Sequence, residues 1–270
     1  MNTLRAASMI LGGALSIAAH AGNYQDLWWN QAESGWGVNI IQQADILVAT
    51  WFIYDTDGKP LWLLATAAKS GGTSYTGEVY KFTGPPYAAT SFDPKAVTET
   101  VAGTAQFNFT DLASGSVTYT VNGTTITKSI VRQSYAPPKI DGTYVTSTIR
   151  VRSGCSDSSQ NGTVFLYNRA YDFYREDSTL FVDYGGVDAA GTFIGTCSAM
   201  GTMVAHGSIA SLSAPFTCLN GNTGTLTISD LRVTDLGILG SFVWQYDAAS
   251  SNCKVVDSIS GARQQAVPLL

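Results

Sequence analysis

In residues 104–109 and again in 116–121, polar and apolar side chains alternate one for one, and the second run meets Asn122-Gly123 before a third begins at Thr124. A period of two puts Ala105, Phe107 and Phe109 on one face, and Val117, Tyr119 and Val121 on another. Asn-Gly supplies the positive φ angles that a two-residue hairpin turn demands. The three runs therefore predict an antiparallel meander. Similar short runs bounded by Gly, Asn, Asp and Pro recur along the chain, and no segment carries a convincing helical period, so the expected fold is all-β.

Upstream strands are expected over 36–43, 46–54, 61–67 and 74–82, with Asp55 to Pro60 as a turn. Residues 46–53 are nearly continuous in apolar character, which predicts a strand covered on both faces or crossing the middle of a small core. After the meander, Ala136-Pro137-Pro138 cannot feed a hydrogen-bond ladder and marks a boundary. A chain of 270 residues also exceeds one typical core. The reading is two small antiparallel domains, 22–136 and 137–270, each an up-and-down barrel or a sandwich. Alternation and turns do not separate the two closures. In the second domain strands are expected over 144–151, 163–167, 179–184, 192–198, 211–218, 225–229 and 238–245, while 169–177 is open between strand and short helix. Both domains end on Arg-Gln, at 132–133 and 263–264, a slender trace of duplication.

The chain starts with a basic residue, Arg5, runs through apolar residues 6–19 and reaches Ala19-His20-Ala21. This order predicts a secretory signal peptide over 1–21 and a secreted or periplasmic protein without a membrane anchor. Cys155, Cys197, Cys218 and Cys253 all lie in the second domain and read as disulfides. Four cysteines allow three pairings. Cys197 with Cys218, at the ends of two apolar segments flanking a hairpin, is favoured, leaving Cys155 with Cys253. No Cys-x-x-Cys pair exists and no metal or other cofactor is expected. The net charge of −5 repels phosphate backbones, which excludes nucleic acid as a partner.

Five of the six tryptophans, Trp28, Trp29, Trp36, Trp51 and Trp62, fall in one short stretch with Phe52 and Tyr54. Rings stack on sugars and line apolar pockets, but they also fill barrels. Trp28, Trp29, Trp36, Trp62 and Tyr54 are the candidate ligand-binding residues. Trp28 and Trp29, being adjacent, point to opposite faces of a strand, so one of them is expected to be exposed. Glu33 beside Trp36 is a candidate general acid, since an aromatic neighbour can raise a carboxyl pKa, with Asp55 or Asp57 as its partner; the favoured reading is a turn residue whose carboxylate accepts backbone or indole hydrogen bonds. Asp55-Thr56-Asp57-Gly58 lacks the later ligands of a calcium loop and reads as a turn. A Ser-His-Asp triad would have to use His206, which falls in an expected turn.

The segments Leu27-Trp28-Trp29-Asn30, Glu33-Ser34-Gly35-Trp36-Gly37 and Ala49-Thr50-Trp51-Phe52-x-Tyr54-Asp55-x-Asp57-Gly58-Lys59-Pro60-x-Trp62 resemble a stretch that recurs in exported, β-rich proteobacterial proteins. The resemblance implies export and a β fold and brings no catalytic residues. The functional expectation is a non-catalytic binding module for a glycan or small apolar ligand. The alternatives are a glycoside-type hydrolase using Glu33, and a structural or adhesion protein whose partner is another protein.

Overall fold

The computed structural model describes residues 22–187 and 193–264; the expected signal peptide lies outside them. The chain is all-β and forms two closed, eight-stranded antiparallel barrels, so both domains close as barrels and neither is a sandwich. The first contains β1 (Asp26–Trp29), β2 (Gly37–Gln43), β3 (Ile46–Tyr54), β4 (Pro60–Gly71), β5 (Ser74–Thr83), β6 (Thr98–Phe109), β7 (Ser114–Val121) and β8 (Thr124–Arg132). The second contains β9 (Gly142–Ser153), β10 (Val164–Glu176), β11 (Thr179–Val187), β12 (Phe193–His206), β13 (Ile209–Cys218), β14 (Thr223–Val233), β15 (Gly237–Tyr246) and β16 (Lys254–Arg263). Each strand pairs with its neighbours in sequence, and β8 returns to β1 as β16 returns to β9. Closure leaves no open sheet edge. Asn122 and Gly123 take φ values of 50° and 81°, the turn expected between β7 and β8.

The alternation sorts side chains by face. Trp28, Trp51, Tyr75 and Phe107 fill the first barrel, and Tyr171, Phe173, Phe216, Phe242 and Trp244 fill the second. Outside, Thr, Ser, Asn and charged residues are interspersed with exposed apolar residues such as Phe52, Ile149, Val164 and Met200. No helix among the described residues is long and apolar enough to cross a membrane. The 46–53 run corrects one expectation: Leu47, Ala49 and Trp51 point inward, but Ile46 and Phe52 are exposed, so β3 is covered on one face only. Residues 169–176 are strand, continuous with 164–168 in β10. Lys254–Arg263 forms an eighth strand that the sequence reading left unassigned.

The shared Arg-Gln ending marks a repeated lock. In the first barrel the Trp28 indole donates to the Tyr24 carbonyl (2.8 Å), four residues back. The Arg132 guanidinium lies 5.0 Å over that indole and donates to the carbonyls of Asn23, Gln25 and Leu112. In the second barrel the Tyr144 hydroxyl donates to the Ile140 carbonyl (2.9 Å), again four residues back, and the Arg263 guanidinium lies 5.2 Å over that ring and donates to the Lys139 carbonyl. The amide after each arginine closes the seam, Gln133 to the Leu27 carbonyl and Gln264 to the Thr143 carbonyl. Arg132 also reaches Asp26 (2.9 Å), whose carboxylate accepts from the backbone N–H and hydroxyl of Ser208 in the second barrel. This end of the first barrel therefore faces its neighbour, and the β1–β2, β3–β4, β5–β6 and β7–β8 connections lie at the far end.

The disulfides join Cys197 to Cys218, directly opposite across β12 and β13, and Cys155 to Cys253. The latter pair is separated by 98 residues of chain. Cross-linking a loop of that length removes on the order of 4–5 kcal/mol of unfolded-state entropy. Calorimetry with and without reductant should therefore show the second barrel's transition falling steeply while the first barrel's, which contains no cysteine, stays in place.

Candidate functional site

The far end of the first barrel carries the exposed aromatic residues. Outward positions on β3, β4 and β5 set Phe52, Trp62 and Phe82 side by side: Phe52 lies opposite Trp62 in register, and the Trp62 and Phe82 rings stack at 5.4 Å with their planes 4° apart. Gly37 on β2 completes the row. A Cβ there would come within 2.5 Å of the Phe52 ring, so the glycine leaves the space that this ring covers. Tyr80 adjoins Phe82 at 6.4 Å and donates its hydroxyl to Glu78 (2.7 Å). Tyr54, 59% exposed, extends the patch toward the β3–β4 turn, and Trp62 itself is 51% exposed. Burying such rings against a partner gains apolar contact without loss of a core residue.

The expected ligand-binding residues divide. Tyr54 and Trp62 belong to this row. Trp28 does not: it is fully buried beneath Arg132, because the inward face of β1 must seal the barrel. Its neighbour Trp29 points the other way and lines a shallow hollow of about 400 Å³ with Asn30, Ser129 and Val131. Trp36 is half-buried, with its indole tied to Glu33 (3.0 Å) and the Lys128 ammonium 5.9 Å from its ring. Phe82 and Tyr80 were missed as site residues. Their spacing of two placed them on one face, but only the strand register puts them beside Trp62.

The carboxylates are arranged for ion pairing. Glu33 accepts from Lys128 of β8 (2.7 Å), and that lysine, with the Trp36 indole, lowers its pKa. The indole N–H, not the ring face, meets the carboxylate, so the aromatic neighbour lowers the pKa that a general acid needs raised, and Glu33 accepts the indole hydrogen bond expected of it as a turn residue. Asp55 is lowered chiefly by the Thr56 backbone N–H, with Lys81 at 3.5 Å, and Asp57 by Lys59 at 2.6 Å. Glu33 and Asp55 are thus held by lysines on different strands, and all three favour the ionised form, unlike a general acid.

His206 is the last residue of β12 and not a turn residue as expected; its Nε2 lies 3.1 Å from the Ser211 hydroxyl, in a cleft between the barrels that also holds Asp111. Burial lowers the histidine's pKa. Asp111 spends its oxygens on the Ala113 and Ser114 backbone N–H groups and the Ser114 hydroxyl, which caps the β6–β7 loop and does not orient the imidazole. Among the described residues no cluster of His, Cys, Asp and Glu could hold a metal ion. Comparisons with protein-family models, curated proteins and solved structures find no significant match.

A depressed carboxyl pKa means that the Glu33–Lys128 contact is present above the unfolded-state value and is lost as pH falls through the folded one. The Trp36 indole proton resonance should therefore titrate below pH 4.5, the ordinary glutamate value, and Lys128→Met should move its midpoint upward.

Proposed function

We propose that the chain is an exported, non-catalytic binding module whose first barrel grips a glycan along the row Phe52, Trp62, Phe82, with Tyr54 and Tyr80 beside it. The observation that carries this reading is the exposed Trp62–Phe82 stack on an outer sheet face, with Phe52 in register next to it. Small apolar ligands favour enclosed pockets that cover most of their surface. The row is open, and the interior of the same barrel is occupied by Trp28, Trp51, Tyr75 and Phe107. An extended sugar chain suits an open row, since its apolar faces pack on rings while its hydroxyls stay solvated or meet polar neighbours. Such neighbours are present in Glu78 and Thr66, which pair in register on the same outward face. The low charge content of 13% fits a hydroxyl-rich partner, and two disulfides fit a non-reducing compartment outside the cytoplasm.

Binding to a panel of insoluble and soluble polysaccharides, followed by co-sedimentation and tryptophan fluorescence, tests this. Trp62→Ala should weaken retention by roughly tenfold or more, as for loss of one stacked ring worth about 1–3 kcal/mol. Gly37→Ala removes no ring but displaces Phe52, and should weaken retention less. Equal retention by wild type and Trp62→Ala, or none across the panel, would overturn the reading.

A further inference from the structure

The second barrel is not a purely apolar core. Along β9 the inward positions are Tyr144, Thr146, Thr148 and Arg150, a polar stripe inside a closed barrel. At its end Arg150, about nine-tenths buried, makes a bidentate pair with the fully buried Asp257 (2.7 and 2.6 Å) and donates to the Tyr184 hydroxyl (3.3 Å). Arg169 donates to the same hydroxyl from the other side (3.0 Å). Burying an ion pair costs several kcal/mol of desolvation, and apolar side chains of similar volume are often at least as stable, so stability alone is a poor reason to keep one.

Two further groups around Tyr184 have no partner among the described residues. The Tyr171 hydroxyl and the Trp244 indole N–H are buried without a hydrogen bond, and their rings lie 5.2 and 5.4 Å from that of Tyr184. An unpaired buried donor costs about 1–3 kcal/mol. Both can donate, and the indole can do nothing else. Arg150 also lines a cavity of about 360 Å³ that opens at the disulfide end of the barrel, with Arg152, Gln160, Asn222, Tyr246 and Cys253. Its size lies within the range of small-molecule sites.

The charge balance states what such a site accepts. Arg150 and Arg152 both line the cavity, Arg169 shares the Tyr184 hydroxyl with Arg150, and the two oxygens of the inward carboxylate Asp257 are already taken by Arg150. Asp157 and Asp247, close in sequence to the lining residues Gln160 and Tyr246, cap exposed turns, accepting from Ser159 and Thr223. Two guanidinium groups lining one cavity, with the Gln160 and Asn222 amides beside them in a chain of charge −5, call for an acceptor-rich anion. We infer that the disulfide end of the second barrel is a binding site for a small oxyanion, a carboxylate or a phosphate ester, seated on Arg150 with Arg152 at its rim. This site is separate from the glycan row and stands whether or not that row binds sugar.

The test uses the full chain. Inorganic phosphate and acetate are titrated at constant ionic strength against a chloride control, and the indole N–H resonances are followed, with that of Trp244 assigned through Trp244→Phe. The expected result is a saturable shift of the Trp244 signal with phosphate, acetate or both, the responding arm identifying the headgroup. Arg152→Ser should weaken it about tenfold, as for one charge-assisted hydrogen bond. The paired substitution Arg150→Met with Asp257→Leu keeps the volume, removes both charges and should abolish it in a folded barrel. A response no greater than that to chloride, or one unchanged in Arg152→Ser and in the paired variant, would overturn the assignment.

Discussion

An arginine on the last strand of each barrel, laid over an aromatic ring of the first strand, holds the seam on which closure depends. Arg132 covers Trp28 and Arg263 covers Tyr144, and each guanidinium satisfies carbonyls of the segment leading into its barrel. The geometry explains why the Arg132 charge can be buried while Arg263 stays half-buried. A guanidinium has five donors in a fixed fork and a face that stacks on rings, so it can meet several orphan carbonyls while remaining in apolar contact. At Arg132 burial pulls the pKa down, and the hydrogen bond and charge of Asp26 pull it back up.

With the seam held, the remaining strands need only follow one another. Every pairing within a barrel is between consecutive strands except the closing one, so the alternation sorts side chains inward and outward without crossovers. The two barrels then use the same frame differently. The first packs its interior with Trp28, Trp51, Tyr75 and Phe107 and carries its aromatic surplus outside, on β3 to β5. The second keeps a polar flank inside, with Arg150 and Asp257 at one end, and has both disulfides at that same end.

Much of this was legible in the sequence. The bounds of β3 followed from its apolar run and the turn after it, the turn at Asn122-Gly123 from turn chemistry, and the favoured pairing of Cys197 with Cys218 from the hairpin between them. What was hidden depends on register. Trp28 and Trp29 are equal in sequence terms, and only the pairing of β1 with β2 and β8 decides that Trp28 faces inward. Phe82 joins Trp62 for the same reason. Arg150 and Asp257 lie 107 residues apart, and nothing local announces that they meet. The Arg-Gln repeat was visible as two letters; its meaning came from the rings and carbonyls around it.

The account rests on each barrel being closed by its own arginine, and amide hydrogen exchange on Arg132→Met tests that most directly. Leaving Asp26 and three carbonyls without their donor should cost about 3 kcal/mol or more. Protection should fall across β1 and β8 and through the first barrel, while the amides of the second barrel keep their wild-type rates. Unchanged protection in β1 and β8, or an equal loss in both barrels, would contradict it.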